Sequence, residues 1–209
     1  MSKELVIVFV KNIKLGKVKT RLAKTIGDHG AFEVYSDLVK VTEMATKDLS
    51  VDKRIYFSDA TVDTIWKNDY KTIQHGVDLG ERMKNAFKKG FEDGYERIIL
   101  IGSDLPDITA NHINKGLEAL KQNEVSFGPA EDGGYYLIGL SKMHNFVFDN
   151  KPWSKTHLLE ETLSELKEHG VTFTTLVTLN DIDTYDDLVA SKFYQSNIAL
   201  QEKIKQLHD

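Results

Sequence analysis

An α/β protein built on a mostly parallel sheet covered on both faces is predicted by three observations. Short, continuous apolar runs bounded by polar turns recur along the chain, the mark of strands buried on both faces. Segments with helical spacing of apolar residues separate them. With 209 residues and 41% hydrophobic content, the chain can fill one sizeable core but not two full-sized ones, so residues 1–209 are expected to form a single domain of three layers.

The elements follow in order. Leu5 to Val10 is a six-residue apolar run after Lys3 and Glu4, too short for a membrane span or a signal-peptide core and right for a central strand. A helix is expected from about Thr20, with Phe32, Tyr35, Leu38, Val39 and Thr42 on its apolar face. Strands are read at Arg54 to Phe57 and, more weakly, at Lys71 to Gln74. Leu79, Met83, Ala86 and Phe87 form the next helical stripe, followed by a strand at Arg97 to Ile101. Ile113, Leu117 and Leu120 mark a helix before strands at Val125 to Phe127 and Tyr135 to Leu140. Leu158, Thr162, Leu163 and Leu166 give another stripe, Val171 to Val177 a last strand, and Asp186 to Leu207 one or two closing helices. Each stripe is read as core packing, without a cofactor role.

Composition excludes several function classes. The formal charge of −5 argues against a general nucleic-acid binder, which needs a basic face for phosphates. No membrane partner is expected either. The absence of cysteine removes disulfides, thiolate zinc sites and a cysteine nucleophile, and favours a reducing, cytoplasmic setting. His75, His112, His144 and His157 have no metal-ligand spacing.

In an open α/β sheet, ligands bind beyond the carboxyl ends of the strands, which selects four segments. The loop after the first strand carries Lys11, Lys14, Lys17, Lys19 and Arg21 around Gly16 and enters a helix. Glycine lets the backbone approach an anion, a helix start offers free N–H groups, and the cations supply charge; a solvated basic loop would have the same composition. The segment lacks both G-x-x-x-x-G-K-[ST] and G-x-G-x-x-G, which speaks against P-loop ATPases and dinucleotide-dependent dehydrogenases. After the strand ending at Ile101, Gly102 and Ser103 lead to Asp104, and Leu105-Pro106 forms a rigid turn. Asp104 can serve a hard cation such as Mg²⁺ or bond its own turn. Asp132, Gly133 and Gly134 form either a ligand-facing turn or a plain hairpin turn. Asp181 and Asp183 can face one side of an extended stretch, while Thr184 and Asp187 fit a helix-capping box. Arg82, in a Gly-containing entry to a helix, can reach a base, sugar or phosphate or serve as an ordinary first-turn charge.

Taken together, F-V-K-N-I-K-L-G-K-V-K-T-R-L over 9–22, G-E-R-M over 80–83, I-G-S-D-L-P over 101–106, G-P-A-E-D-G-G-Y-Y-L-I-G over 128–139 and D-I-D-T over 181–184 resemble the DUF2064 group of glycosyltransferase-like proteins. That group is similar to 2-phospholactate guanylyltransferase and, more distantly, to the molybdopterin guanylyltransferases. The resemblance runs in order from residue 5 to about 190. It implies the GT-A nucleotide-diphospho-sugar transferase fold, with a mixed, largely parallel sheet. It also implies Mg²⁺ or Mn²⁺ held by Asp104 with Asp181, preferred over Asp183, as second ligand, and phosphates held by Lys19, Thr20 and Arg21. Lys11, Gly16, Arg82 and Ser103 complete the expected nucleotide site, and Asp132, Gly133 and Gly134 the substrate site. Asp104, Lys19 and Arg21 are the expected catalytic residues. Ile13 and Leu15 stand where the group usually has prolines, so a more mobile first loop is expected. The implied partners are a nucleotide or nucleotide-sugar donor and a small-molecule acceptor, and a homodimer is compatible with the sequence. The expected reaction is glycosyl transfer; nucleotidyl transfer to a phosphorylated acceptor with loss of pyrophosphate is the alternative, and a non-catalytic nucleotide-binding module a further one. A phosphohydrolase would want an acid where Lys11 stands.

Overall fold

A computed structural model describes residues 3–208 of the chain. Seven strands form one sheet in the order β3-β2-β1-β4-β6-β5-β7. They are β1 (Glu4–Val10), β2 (Asp52–Phe57), β3 (Tyr70–Ile73), β4 (Arg97–Ile101), β5 (Val125–Pro129), β6 (Tyr135–Leu140) and β7 (Phe173–Thr175). Only β6 runs against its neighbours, pairing antiparallel with both β4 and β5; all other pairs are parallel. This is the mixed, largely parallel sheet that the sequence predicts, with β7 shorter than the Val171 to Val177 run suggested.

The helices are α1 (Thr20–Lys47), α2 (Leu79–Glu92), α3 (Ala110–Ala119), α4 (Leu158–Glu168), α5 (Tyr185–Ala190), α6 (Lys192–Ser196) and α7 (Ile198–His208). The closing segment thus forms three short helices where one or two were expected. Ser191, between α5 and α6, is extended, and its hydroxyl caps α6 by accepting from the Tyr194 N–H. Gly27 breaks α1 at φ 70°, ψ 166°, a conformation that favours glycine.

Strand β1 explains the layering. Val6, Val8 and Val10 face one side, with Tyr35 and Val39 of α1 and Ile113 and Leu117 of α3. Leu5, Ile7 and Phe9 face the other, with Met83 and Phe87 of α2 and Leu166 of α4. A strand buried on both faces reads as an unbroken apolar run, because its period-two alternation has apolar partners in each direction. A third cluster joins Leu22, Ile26, Val34 and Leu38 of α1 to Leu188 of α5 and Leu200 and Ile204 of α7. Among the described residues no helix is long and apolar enough to cross a membrane.

Candidate functional site

The loop after β1 is pinned before it reaches its cations. Asn12 is buried; its amide donates to the Ala60 carbonyl at 2.7 Å and its Oδ1 accepts from the Asp59 and Ala60 N–H groups at 2.8 and 3.2 Å. These bonds fasten the loop to the segment after β2. A second tie runs from the Lys11 N–H to the Tyr35 hydroxyl at 3.0 Å and from there to the Ser103 hydroxyl at 2.9 Å. Burial, partly offset by the Ser103 bond, pushes the Tyr35 phenol up to about 12, so it stays a neutral hydrogen-bonding group. The loops after β1 and β4 are thereby held in register.

Lys19, immediately before α1, adopts a left-handed conformation at φ 44°, ψ 49°. That conformation costs a non-glycine residue about 1–3 kcal/mol and is a common signature of a functional position. Its side chain is 5% exposed, and its ammonium lies 3.0 Å from Asp104 Oδ2 and 3.4 Å from Asp183 Oδ1. Arg21 reaches the other oxygen of Asp183 at 3.2 Å. Burial pulls the Lys19 pKa down, but Asp104, Asp183 and Asp181 together outweigh it and hold it above the ordinary lysine value. Lys19 is a fixed cation amid three carboxylates.

Asp181 is the strained member of this set. Its carboxyl is pushed up to about 6, first by burial and then by the charge of Asp104, with Lys19 opposing. In the unfolded chain an Asp titrates near ~3.9. The folded protein therefore retains a proton that the unfolded chain releases between these values, and stability falls as pH rises through that window. Asp181→Asn should melt above the parent at pH 8 in chelator, with the gap closing at pH 3.5, where both forms of Asp181 are protonated. Scanning calorimetry at the two pH values checks this; an equal gap at both would place the cause elsewhere.

Two cavities meet at this cluster. The first, about 390 Å³, is lined by Lys11, Lys19, Thr20, Arg21, Tyr35, Asp104, Ser154 and Asp183. The second, about 350 Å³, shares Asp104, Ser154 and Asp183 and adds Asp132, Asp181 and an apolar wall that includes Phe9, Met83, Leu100 and Trp153. Trp153, Ser154 and Lys155, within the segment from Lys151 to Thr156, form one wall of this chamber. Lys151, itself buried, anchors this segment through an ion pair with the more exposed Glu165. A Cβ on Gly80 would lie 2.6 Å from Trp153 Cζ2, and one on Gly133, at φ 87°, only 1.8 Å from the Thr156 carbonyl oxygen. Gly133→Ala should therefore lose about 2–3 kcal/mol of stability by urea unfolding, combining backbone strain with displacement of the wall. A loss below ~0.5 kcal/mol would mean that the wall yields freely.

The predicted residues divide accordingly. Lys11, Lys19, Arg21, Asp104, Asp132, Gly134, Asp181 and Asp183 line one or both cavities. Ser103 is 3% exposed and spends its hydroxyl on Tyr35, so it positions the loop. Gly16 lines neither cavity; its φ of 71° lies beside Asp28, 3.1 Å from where a Cβ would stand. Arg82 lines neither, and its Nε donates to the Gly76 carbonyl at 3.1 Å, closing the entry to α2. Gly133 serves backbone packing, while Asp132 accepts from the Gly134 N–H at 2.9 Å within a β5–β6 hairpin, so the hairpin and cavity readings of this turn hold together. Thr184 and Asp187 form the expected capping box. Sequence reasoning missed Tyr35, Trp153, Ser154 and Tyr135; a tryptophan inside the polar run K-P-W-S-K-T at 151–156 is the signal that could have drawn attention to that wall.

Among the described residues no group of three or more His, Cys, Asp or Glu is arranged to hold a metal. The physical reason lies in the cluster itself: the Lys19 ammonium stands between Asp104 and Asp183. The donor set is nonetheless suited to a hard divalent cation, being carboxylate oxygens beside a cavity lined by Lys11, Lys19 and Arg21. Carboxylates grouped this closely would be expected simply to repel one another in the absence of metal. Lys19 corrects that for Asp104 and leaves it true for Asp181.

A six-parallel, one-antiparallel sheet with cationic and acidic loops at the carboxyl end of its central strands defines the class of nucleotide-diphospho-sugar transferase folds. The chain belongs to the DUF2064 family, described as "Uncharacterized protein conserved in bacteria", whose model matches residues 42–155. A solved structure of a proposed nucleotide-diphospho-sugar transferase from Desulfovibrio desulfuricans G20 is 32% identical, with 99% of each chain covered and a TM-score of 0.84. The inositol-1-phosphate CTP transferase of T. maritima shares the fold at 16% identity, covering 98% of this chain and 96% of that one, with a TM-score of 0.53. So does the manganese complex of Rv0371c from Mycobacterium tuberculosis H37Rv, at 14% identity, 89% and 96% coverage and a TM-score of 0.50. A search of curated protein sequences gives no match.

Proposed function

We propose that the protein is a divalent-cation-dependent transferase that moves a sugar from a nucleotide-sugar donor to a small acceptor. The observation that carries this is the meeting of two chemically opposite cavities at Asp104 and Asp183. Lys11, Lys19 and Arg21 suit the donor's diphosphate, and the chamber beyond suits sugar and acceptor. Asp104, with Asp181 and Asp183, would hold Mg²⁺ or Mn²⁺, which would supply charge neutralisation for the departing diphosphate; the manganese complex of a protein with this fold supports the choice of ion.

In the transfer, an acceptor oxygen forms a bond to the donor's anomeric carbon while the bond from that carbon to the diphosphate oxygen breaks. The nucleoside diphosphate leaves with the bonding electrons, and the acceptor's proton passes to Asp132. Asp132 accepts from the Gly134 N–H, whereas Asp104 and Asp183 face Lys19. Nucleotidyl transfer is the second reading, supported by the named activity of the T. maritima protein with this fold. The experiment is a thermal-shift panel of nucleoside triphosphates, diphosphates and nucleotide sugars with and without Mg²⁺ or Mn²⁺, followed by mass spectrometry of the products. Release of a nucleoside diphosphate is expected; pyrophosphate would establish the second reading, and no nucleotide-dependent shift would sink both.

A further inference from the structure

A donor with its diphosphate in the cationic cavity and its sugar in the chamber beyond has its scissile bond where the two meet. Three residues line both cavities: Asp104, Asp183 and Ser154. Asp104 and Asp183 face Lys19, and a carboxylate accepts hydrogen bonds without donating them. Ser154, which is exposed, is the junction residue whose side chain has a proton to offer. It reaches the junction from the segment between β6 and α4, whereas Lys11, Lys19 and Arg21 come from the loop after β1 and the first turn of α1.

The backbone at this junction is a separate observation. Among the described residues four that are not glycine have positive φ: Lys19 at 44°, Trp66 at 43°, Asn150 at 55° and Ser154 at 63°. Lys19 and Ser154 both line the cationic cavity, and Asn150 precedes the segment that carries Ser154. The Lys155 N–H donates to the Pro152 carbonyl at 3.1 Å. Ser154 is thus the third residue of a turn, where positive φ normally calls for glycine. A residue held this way persists only where its surroundings fix it. Here the Lys151–Glu165 ion pair secures one end. Trp153 packs against Gly80 and the Thr156 carbonyl against Gly133, while the Leu159 N–H donates to the Gly133 carbonyl at 3.0 Å. Glycine at 154 would fit the turn without strain; serine adds a hydroxyl at the boundary between the cavities.

We infer that Ser154 is a catalytic residue whose hydroxyl donates a hydrogen bond to the diphosphate oxygen from which the sugar departs. This rests on the glycosyl-transfer reading and adds to it the side chain that meets the leaving group. As the bond from the anomeric carbon to that oxygen breaks, its electron pair stays on the oxygen. A hydrogen bond to the same oxygen is therefore stronger in the transition state than in the bound donor, and a hydroxyl fixed beforehand supplies it without reorganisation. The serine keeps its proton, and the nucleoside diphosphate leaves as the anion. A nucleoside monophosphate ends one phosphate short of the junction.

Two variants of the full-length protein separate hydroxyl from backbone. Ser154→Ala removes Oγ and retains the strain; Ser154→Gly removes Oγ and suits the positive φ, so it should melt at least as high as the alanine variant. Calorimetric titrations in Mg²⁺ use ADP, CDP, GDP and UDP and the four corresponding monophosphates. Both variants should bind the preferred diphosphate about 3- to 10-fold more weakly than the parent and its monophosphate with unchanged affinity, the scale of one lost hydrogen bond. With ADP-glucose, CDP-glucose, GDP-mannose and UDP-glucose, release of nucleoside diphosphate should slow by about 10- to 100-fold in kcat with little change in KM, because the lost contact strengthens only in the transition state. Equal weakening of diphosphate and monophosphate would mark a structural role and overturn the inference. Loss in Ser154→Ala with recovery in Ser154→Gly would assign the effect to the backbone and overturn the role of the hydroxyl. Parent-like binding and turnover in both variants fails this inference alone. A Ser154-dependent preference for diphosphate, with no nucleoside diphosphate released from any sugar nucleotide, fails the glycosyl-transfer reading alone and leaves the contact with the terminal phosphate standing. A parent that binds none of the nucleotides overturns both.

Discussion

Asp104→Asn should abolish turnover and at the same time remove the cation dependence of nucleotide binding. In the parent, nucleotide should bind weakly in chelator, because its phosphates would meet Asp104, Asp181 and Asp183 as well as the cations Lys11, Lys19 and Arg21. Mg²⁺ or Mn²⁺ should tighten it by at least 10-fold. The amide at position 104 retains the size of the side chain and loses the charge that a hard cation requires. A drop in turnover of 100-fold or more is expected, on the scale of removing one electrostatic element of a transition-state site. The variant should also melt lower than the parent, since Lys19 Nζ, with a 5% exposed side chain, loses the carboxylate 3.0 Å away. Asp104 is itself 38% exposed, so water takes up part of the loss and the cost should be about 1–2 kcal/mol, below that of breaking a fully buried pair. This is opposite in sign to the effect at Asp181, although both residues belong to one acidic cluster. Titration calorimetry in chelator and in Mg²⁺ gives the first result and a melting curve the second. Equal cation dependence in parent and variant would make Asp104 a turn residue.

Lys19→Ala should separate the two partners of that lysine. If its ammonium meets phosphate during binding, nucleotide affinity falls about 10- to 150-fold, the equivalent of the ~1.5–3 kcal/mol typical of a charge-assisted hydrogen bond. Without nucleotide, the same substitution removes the cation lying among Asp104, Asp183 and Asp181 and leaves Arg21 as the ion-pair partner of Asp183. The apo variant should then melt lower than the parent in chelator and bind Mn²⁺ more tightly, with added Mn²⁺ restoring most of its stability. Lys19 would thus occupy, in the ligand-free protein, the electrostatic position that a divalent cation takes with substrate. Weaker nucleotide binding with unchanged Mn²⁺ affinity would mean that the ammonium and the cation do not compete for the same oxygens.

Much of this was legible in the amino-acid order. The apolar runs at β1 and β4 could only be strands buried on both faces, and helical stripes between them implied crossovers and hence parallel pairing. Asp104, Asp132 and Asp183 could be singled out because the loops at strand ends are where such a sheet exposes chemistry. The Thr184–Asp187 cap was readable because it acts over three residues of chain. Ser103 and Tyr35, in contrast, are 68 positions apart, and nothing near either residue announces that the first spends its hydroxyl on the second. Gly16 and Gly133 were read as ligand-facing because glycine permits close approach, but permission does not specify what approaches. At Gly133 it is the carbonyl of Thr156.

The sequence by itself determined the class of fold, the loops that line the candidate site and the presence of separate basic and acidic groups, because each of these depends on local periodicity and on strand-end position. The tertiary structure alone decided how those groups are paired. It set Lys19 among the aspartates, gave Asp104 a partner while leaving Asp181 raised, and divided the crevice into a cationic and an apolar-acidic half. These outcomes depend on distances between segments more than eighty residues apart, and Coulomb energy and burial are functions of separation in space, which no spacing along the chain encodes.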